Sequence, residues 1–441
     1  MSEAAARQIV ERLRAAGHQA LYAGGSVRDH LLGLPALDYD VATDAHPQEI
    51  MRMFPNHTAV GAKFGVVLVH LDGSHIEVAT FRTDASYRDG RHPEAVRYAQ
   101  HAEEDVRRRD FTINGLLMDP ASGEILDYVG GRADLTAGVI RAIGDPERRF
   151  AEDRLRMLRA VRFAARLGFA LEPATLAAIR RQAREILTIS HERVRDELLK
   201  MLTEGHARRA FELLDTTGLL AAVLPEVSAM KGVEQPPQYH PEGDVWTHTL
   251  MMLEGFDALP APRSPVLGLG VLLHDVGKPP TFQRAPDRIR FDRHASIGAR
   301  MAERMCERLR LSSAETAEVA ALVEDHMKFT ELPQMRESTR KRFLRRPGFD
   351  RHLALHRLDC LKSHGDLGLY ELARQQLAAM TPEEARPPRL LSGNDLIAMG
   401  YRPGPRFREM LEAVEDAQLE GRLADAAAAR RFVSERYPVA D

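Results

Sequence analysis

Asp38 and Asp40 stand one tyrosine apart in LDYDVAT, a segment that alternates like a β-strand and is expected to point both carboxylates to one face. Two carboxylates that close repel, and each raises the other's pKa unless a cation sits between them. Hard oxygen ligands at this spacing suit magnesium, which takes one or two carboxylates together with substrate phosphates. Just upstream, Gly24 and Gly25 in GGSVRDHLLG open a short helix, where backbone N–H groups and the positive helix end can meet an anion. Arg28 adds a planar fork suited to phosphate. A lone D-x-D, or a lone pair of glycines, is commonplace on protein surfaces. In this order, across one helix and one strand, they describe a place where metal ions meet a triphosphate and a nucleotidyl group moves. Glu77 in HIEVATF shares a face with His75 and is a candidate third carboxylate; the alternative is a half-buried strand acid paired with an arginine.

Two arginine-rich segments follow. RRRDFTIN, residues 107–114, places Asp110 and Asn114 four apart, on one face if the segment is helical. That pair can hold ribose hydroxyls, with Arg109 on a phosphate or a base; the alternative is a helix-surface salt bridge. EDRLRMLRAVRF, residues 152–163, puts Asp153, Arg156 and Arg159 on one arc at about 100° per residue, opposite Met157, Leu158, Val161 and Ala165. An acceptor beside fork-shaped donors can read the Watson–Crick edge of a base. A solvated face with ion pairs is the competing explanation. Arg162 falls on the apolar arc.

A third group is rich in histidine. VWTHTL supplies His248, VLLHDVGKP supplies His274 and Asp275, FDRHASIGA supplies His294, VEDHMKF supplies His326 and HRLDCLKSHGD supplies Asp359. A single helical histidine is usually structural. An adjacent His–Asp after an apolar run, followed by Gly-Lys-Pro, is far rarer, and imidazole with carboxylate suits a divalent metal.

The elements that must carry these residues change character along the chain. The first ~145 residues read as mixed α and β with few strands: a helix over 3–16, a buried strand in HQALYAGG, and two strands around the DGS turn in GVVLVHLDGSHIEVATF. From PERRFAEDRL onward the periodicity is helical and no convincing strand is predicted. QPPQYHPEGD, residues 235–244, and MTPEEARPPRLLSG, residues 380–393, are proline-rich breaks. The expected class is α+β: a small mixed-sheet head over 1–146, then an all-helical neck over 147–234, a histidine-bearing body over 235–379 and a tail over 380–441.

With 28% charged and 44% hydrophobic residues, the composition is that of a globular protein rather than a disordered one. The net charge of −3 conceals basic residues that are nearly all arginine, and it does not exclude a nucleic-acid partner, because local clustering decides. The two cysteines, Cys306 and Cys360, form neither a metal-binding pair by spacing nor a disulfide framework, so a reducing cytoplasm is expected. The amphipathic N-terminus is not a signal peptide, and no apolar run approaches membrane-spanning length.

GGSVRDHLLG…LDYDVAT, RRRDFTIN and EDRLRMLRAVRFAARLGF, in that order, resemble the motifs of class II tRNA nucleotidyltransferases, the family of CCA-adding enzymes and bacterial poly(A) polymerases. The resemblance covers roughly residues 20–200. It implies that Asp38 and Asp40 bind two catalytic Mg2+ ions, that Gly25 and Arg28 hold the triphosphate, and that Arg109 with Asp110 contacts sugar and phosphate. Asp153 and Arg156 would pair with the base of CTP and then of ATP, with Arg159 and Arg162 near the nucleotide. RTDASYRDGRHPEAVRY resembles the family's flexible loop, which assists the switch from C to A. The histidine set resembles an HD-type phosphohydrolase domain: His248, His274, Asp275 and Asp359 would hold a divalent metal (Mg2+, Mn2+ or Ni2+), and His294 and His326 a second metal or a phosphate. Such a domain would trim phosphates or 2′,3′-cyclic phosphates from RNA ends. The tail resembles the family's C-terminal helical segment, which implies contact with the tRNA elbow region. The implied activity is template-independent CCA addition to tRNA from CTP and ATP. The alternatives are an A-adding relative or a poly(A) polymerase, a nucleotide phosphohydrolase with the head as sensor, and a non-catalytic RNA-binding scaffold.

Overall fold

Helix α1 (Glu3–Ala15) buries Ala6, Ile9, Val10 and Leu13, an apolar stripe at helical spacing. It covers the first strands of a seven-stranded mixed sheet in the computed structural model, which describes residues 3–36, 38–59, 65–84, 96–238, 240–241, 243–286, 288–381 and 387–438. The strands are β1 (Ala20–Ala23), β2 (Asp40–Thr43), β3 (His57–Thr58), β4 (Val66–Leu71), β5 (Ser74–Thr80), β6 (Leu117–Met118) and β7 (Ile125–Leu126). Their order across the sheet is β3-β4-β5-β2-β1-β6-β7. β2 runs parallel to β5, and the other neighbouring pairs are antiparallel.

Register does most of the positioning. Ala23, the last residue of β1, lies opposite Asp40, the first of β2, so the glycine turn at Gly24 emerges beside that carboxylate. In the parallel pair Val41 stands beside Val78, which sets Asp40 and Glu77 next to each other one step earlier on a common face. The Asp72-Gly73 turn between β4 and β5 has positive φ at both residues, 49° and 72°, as a tight hairpin requires. Helix α2 (Gly25–Leu31) follows the glycine turn.

The chain divides into two units by contact: Met1–Ser228 with Pro260–Pro262 and Arg308–Arg310, and Ala229–Leu259, Arg263–Glu307 and Leu311–Asp441. In the first, α3 (Pro146–Glu152) leads into α4 (Leu155–Leu167), whose Met157, Leu158, Val161 and Ala165 are buried as the wheel predicts. Helix α5 (His191–Thr203) packs on α4. In the second, α6 (Val245–Asp257), α7 (Pro265–Leu273), α8 (His294–Arg308), α9 (Ser313–Asp325) and α10 (Phe349–Lys362) carry the histidine set. Apart from its Pro265 end, α7 is buried along its whole length, a core helix rather than an amphipathic one. The final helices, from Gly393 to Arg436, enclose their own core around Leu396, Met410, Val414 and Val433.

One expectation about the elements is corrected. Short strands do occur after residue 146: Ala170–Leu171 pairs with Val139–Ile140, and Phe282–Arg284 pairs with Ile289–Phe291. The segment RTDASYRDGRHPEAVRY is described only at its ends, where Arg82–Asp84 pairs with Val96–Tyr98; residues 85–95 lie outside the described residues. No described helix is long and apolar enough to cross a membrane. Cys306 and Cys360 are buried free thiols.

Candidate active sites

One cavity of about 930 Å3 in the first unit is lined by Gly24, Gly25, Arg28, Asp38, Asp40, Glu77, Arg109, Asp110, Asp153, Arg156, Arg159 and Arg162. Every head and neck residue singled out from the sequence therefore meets in one place. Gly24 adopts φ 69°, ψ −126°, which glycine alone adopts readily. A Cβ there would stand 3.3 Å from the Arg109 guanidinium and 3.8 Å from Asp40 Oδ2, so the bare backbone also leaves room for these two groups.

The carboxylates are set differently from the expectation that both lie on one strand. β2 begins at Asp40, and Asp38 sits in the irregular segment before it. Burial, then the charge of Glu77, and then that of Asp38 push the Asp40 carboxyl up to about 6 against the pull of Arg109. Three acids whose charges oppose one another around one cavity have the chemistry of a hard-cation site, although they do not form a set with three ligand atoms within 4.8 Å of one another.

The basic wall is tightly paired. Arg28 is 2% exposed, donates to Asp29 at 2.8 Å and to Asn114 Oδ1 at 2.6 Å, and lies over the Phe163 ring. Arg109 donates to buried Asp105 at 2.9 and 3.2 Å. Burial opposes ionisation of Asp105, yet Arg109 and Arg108 together hold its carboxyl below the usual range. Asp110 and Asn114 do not share a helix. The short helix Ala102–Arg107 ends before them, and a 3-10 turn over Thr112–Asn114 folds the Asn114 amide back to donate to Asp110 Oδ1 at 3.0 Å. Arg159 binds the other Asp110 oxygen at 2.9 Å. Despite burial, Arg159 and Asn114 bring the Asp110 carboxyl down to about 2.

Asp153 is likewise not on the same helix as Arg156. It is the extended residue between α3 and α4, and it accepts from the Leu155 N–H at 3.1 Å. The helical wheel fails there because the chain breaks helix at Asp153. Arg193 on α5 grips its carboxylate at 2.9 and 3.2 Å. Arg156 is held by Glu152 at 2.9 Å and by the carbonyls of Arg149 and Arg108. Arg162, on the apolar arc, is buried and donates to Glu197 at 2.7 Å. Arg193 was missed because its partner is forty residues away; Glu152, four before Arg156, was legible from spacing.

The histidine site is more compact. His248 Nε2 lies 3.2 Å from Asp359 Oδ1, and His274 Nε2 lies 3.3 Å from Asp275 Oδ2. His294 and His326 face each other at 3.2 Å, and each lies 3.8 Å from Asp275 Oδ1. Among the described residues two sets bring ligand atoms within 4.8 Å: His248, His274 and Asp275, and Asp275, His294 and His326. Asp275 belongs to both. His274, His294 and His326 each place Nδ1 against a backbone carbonyl three residues earlier, of Val271, Phe291 and Val323, at 2.8, 2.9 and 2.7 Å. That contact turns Nε2 inward and fixes the tautomer that presents its lone pair there. His274 Nε2 and Asp275 Oδ1 are buried without a hydrogen-bond partner. Burial pushes the His326 imidazole down to about 3, and burial also lowers His294, so both are neutral near pH 7. Asp359 and Asp275 are held well below the carboxylate range, against burial, by His248 and His274 and by Lys278 and His274 respectively. Neutral imidazoles, ionised carboxylates and orphaned buried atoms fit a divalent cation. A Cβ on Gly277 would collide with the His294 carbonyl, so the HDVG turn and the start of α8 approach only because that residue is glycine.

Residues 20–141 match the poly(A) polymerase head domain family, residues 168–231 the family described as the probable RNA and SrmB-binding site of polymerase A, and residues 245–352 the HD domain family. Nucleotidyltransferase and HD domains generally use divalent metals. A CCA-adding enzyme of Geobacillus stearothermophilus is 47% identical over 213 residues, 48% of this chain and 52% of the relative. One from Lactobacillus johnsonii is 40% identical over 258 residues, 57% of this chain and 64% of the relative. The chain thus spans between about half and two thirds of the length of these curated relatives. The crystal structure of the Bacillus stearothermophilus CCA-adding enzyme in complex with CTP superposes with a TM-score of 0.71 at 29% identity, covering 99% of this chain and 98% of that one.

Proposed function

We infer the activity of this chain from its membership of the class II tRNA nucleotidyltransferase and poly(A) polymerase family, with an HD domain attached: it adds CCA to tRNA 3′ ends from CTP and ATP without a nucleic-acid template. What carries the reading is the meeting, in one cavity, of an acidic wall of Asp38, Asp40 and Glu77 with Asp153 and Arg156.

Asp38 and Asp40, with Glu77 beside them, would hold magnesium, which would supply charge neutralisation at the triphosphate and a more acidic 3′ hydroxyl. The crowding that raises the Asp40 carboxyl is relieved by a cation among these acids. Gly24 and Gly25 let the phosphates approach the backbone. Arg109, steadied by Asp105, faces the nucleotide beside Asp40. Arg28, fully engaged by Asp29 and Asn114, braces the glycine helix against the Asp110–Asn114 turn. Asp110 orients the sugar, with Arg159 and Arg162 around it.

Base choice follows from donor and acceptor logic. Cytosine and adenine both present an exocyclic amine beside a ring nitrogen acceptor. Asp153 accepts from the amine, and Arg156 donates to the acceptor side. Uracil presents a carbonyl where the amine would be, which meets a carboxylate unfavourably. Arg193 keeps the Asp153 carboxylate in place while leaving lone pairs for the base.

His248, His274, Asp275 and Asp359 would hold a divalent metal, and His294 and His326 a second metal or a phosphate. Such a metal would supply the chemistry of phosphoester cleavage at RNA ends. Burial keeps the His294 and His326 imidazoles neutral near pH 7, the form that can ligate a cation.

The decisive experiment offers tRNA ending before the first C of CCA, after the second C, or complete, to the full chain with CTP, ATP or both. Extension to CCA and no further is expected. Unlimited A addition, or addition of A only after CC, would replace this reading with one of the alternatives.

A further inference from the structure

The proline-rich segment after Val233 closes into a loop: the Gln235 N–H donates to the Gly243 carbonyl, and the Val245 N–H to the Val233 carbonyl, both at 3.0 Å. The loop brings two side chains to the histidine site. The His240 ring lies 4.9 Å from that of His248. Gln235 is 2% exposed, and its Oε1 accepts from Lys278 Nζ at 2.5 Å. Lys278 is itself buried, with its ammonium 2.7 Å from Asp275 Oδ2 and facing the Phe291 ring.

Asp275 Oδ2 therefore binds the Lys278 ammonium and lies 3.3 Å from His274 Nε2. A divalent cation seated among His248, His274 and Asp275 competes with that ammonium for the same carboxylate. Two positive charges on one oxygen repel strongly where water is scarce. The ammonium can yield only if another acceptor keeps it satisfied, because a buried unpaired charge is costly. Gln235 is the acceptor within reach.

We propose that Gln235 is a positioning residue that retains the Lys278 ammonium beside the histidine site when a divalent cation takes Asp275, so that the proline-rich loop is a working part of that site. The proposal rests on the reading of this site as a metal site. It does not depend on which phosphoester is cleaved.

The test measures Mn2+ binding, by loss of the free-ion EPR signal, to the full chain carrying Asp38→Ala and Asp40→Ala so that the head carboxylates contribute nothing. The binding abolished by a further His274→Ala defines the histidine site. Gln235→Ala is expected to weaken that binding about tenfold, as loss of a charge-assisted hydrogen bond does. Gln235→Glu, which keeps an oxygen acceptor, is expected to restore it. In a Lys278→Met background, which removes the competing ammonium, Mn2+ is expected to bind at least as tightly, with no further effect of Gln235→Ala. Undiminished binding in Gln235→Ala, equal loss in Gln235→Glu, or a Gln235→Ala effect that persists without Lys278 would each overturn the proposal. If the chain with an intact histidine site binds no Mn2+, the metal reading falls and the proposal with it. If Mn2+ binds as expected but bis(p-nitrophenyl) phosphate is not cleaved, only the hydrolase reading falls.

Discussion

The head cavity and the histidine site gather charged and polar side chains in opposite ways. The head spreads its acids and arginines around about 930 Å3, and its arginines have carboxylate partners, one helical turn away for Arg109 and Arg156 and from elsewhere in the fold for Arg159 and Arg162. The histidine site places its imidazoles and carboxylates within 3.2–3.8 Å of one another and fixes three rings through backbone carbonyls. The first arrangement suits the proposed substrate, with its triphosphate, sugar and base; the second suits a single ion. The cost of each differs: arginines without partners would repel one another, whereas the buried, neutral His294 and His326 imidazoles carry no charge to oppose.

The largest test of that contrast removes the ligands of one site and reads the other. Asp38→Ala with Asp40→Ala is expected to lower nucleotide incorporation by about a thousandfold or more, the loss of several kcal/mol of charge stabilisation. Metal-dependent hydrolysis of bis(p-nitrophenyl) phosphate should be unchanged. The reciprocal pair, His274→Ala with Asp275→Ala, is expected to abolish hydrolysis and to leave CCA addition within a few-fold of normal; loss of both activities would show that the sites do not act independently. Next in size, Arg193→Ala is expected to relax discrimination between CTP and UTP by about tenfold, because a carboxylate freed from its clamp loses about 1–2 kcal/mol of positional advantage. Competition assays with mixed nucleotides measure it, and unchanged selectivity would mean that Asp153 is positioned without Arg193.

The last test reads stability rather than activity, as a pH dependence confined to the head. The Asp110 carboxyl lies near 2 in the folded chain, below its ordinary 3.8, so its ionised form favours folding. That contribution, about 2 kcal/mol, is present in full above pH ~4 and is lost as pH falls through about 2. Asp110→Asn should therefore speed urea-dependent hydrogen exchange around the 3-10 turn at pH 7, and the difference from wild type should shrink in acid. A difference independent of pH would assign the loss to shape rather than charge.

Much of the chemistry was legible in short stretches. The order of glycine turn, D-x-D and arginine segments gave the head site, and HDVGKP with its outlying histidines gave the second. The helical wheel placed Met157, Leu158 and Val161 inside correctly, because α4 is a regular helix there. It misplaced Asp153, where the backbone turns extended between two helices. It also misplaced Asp110 and Asn114, which meet through a 3-10 turn rather than on a helix face. Periodicity assumes a continuous element, and at both positions the element is interrupted.

The sequence by itself determined which side chains are candidates: their types and local order are read directly from the chain, and metals, phosphates and bases select among few residue types. Only the tertiary structure decided what holds them. Arg193 reaches Asp153 from α5, Gln235 reaches Lys278 from a loop that reads as a linker, and Glu77 comes beside Asp40 through parallel strand register. These pairings join residues tens of positions apart. The first two exist because burying a charge requires a partner, and the partner is whichever residue packing brings within about 3 Å; the third is set by strand pairing alone.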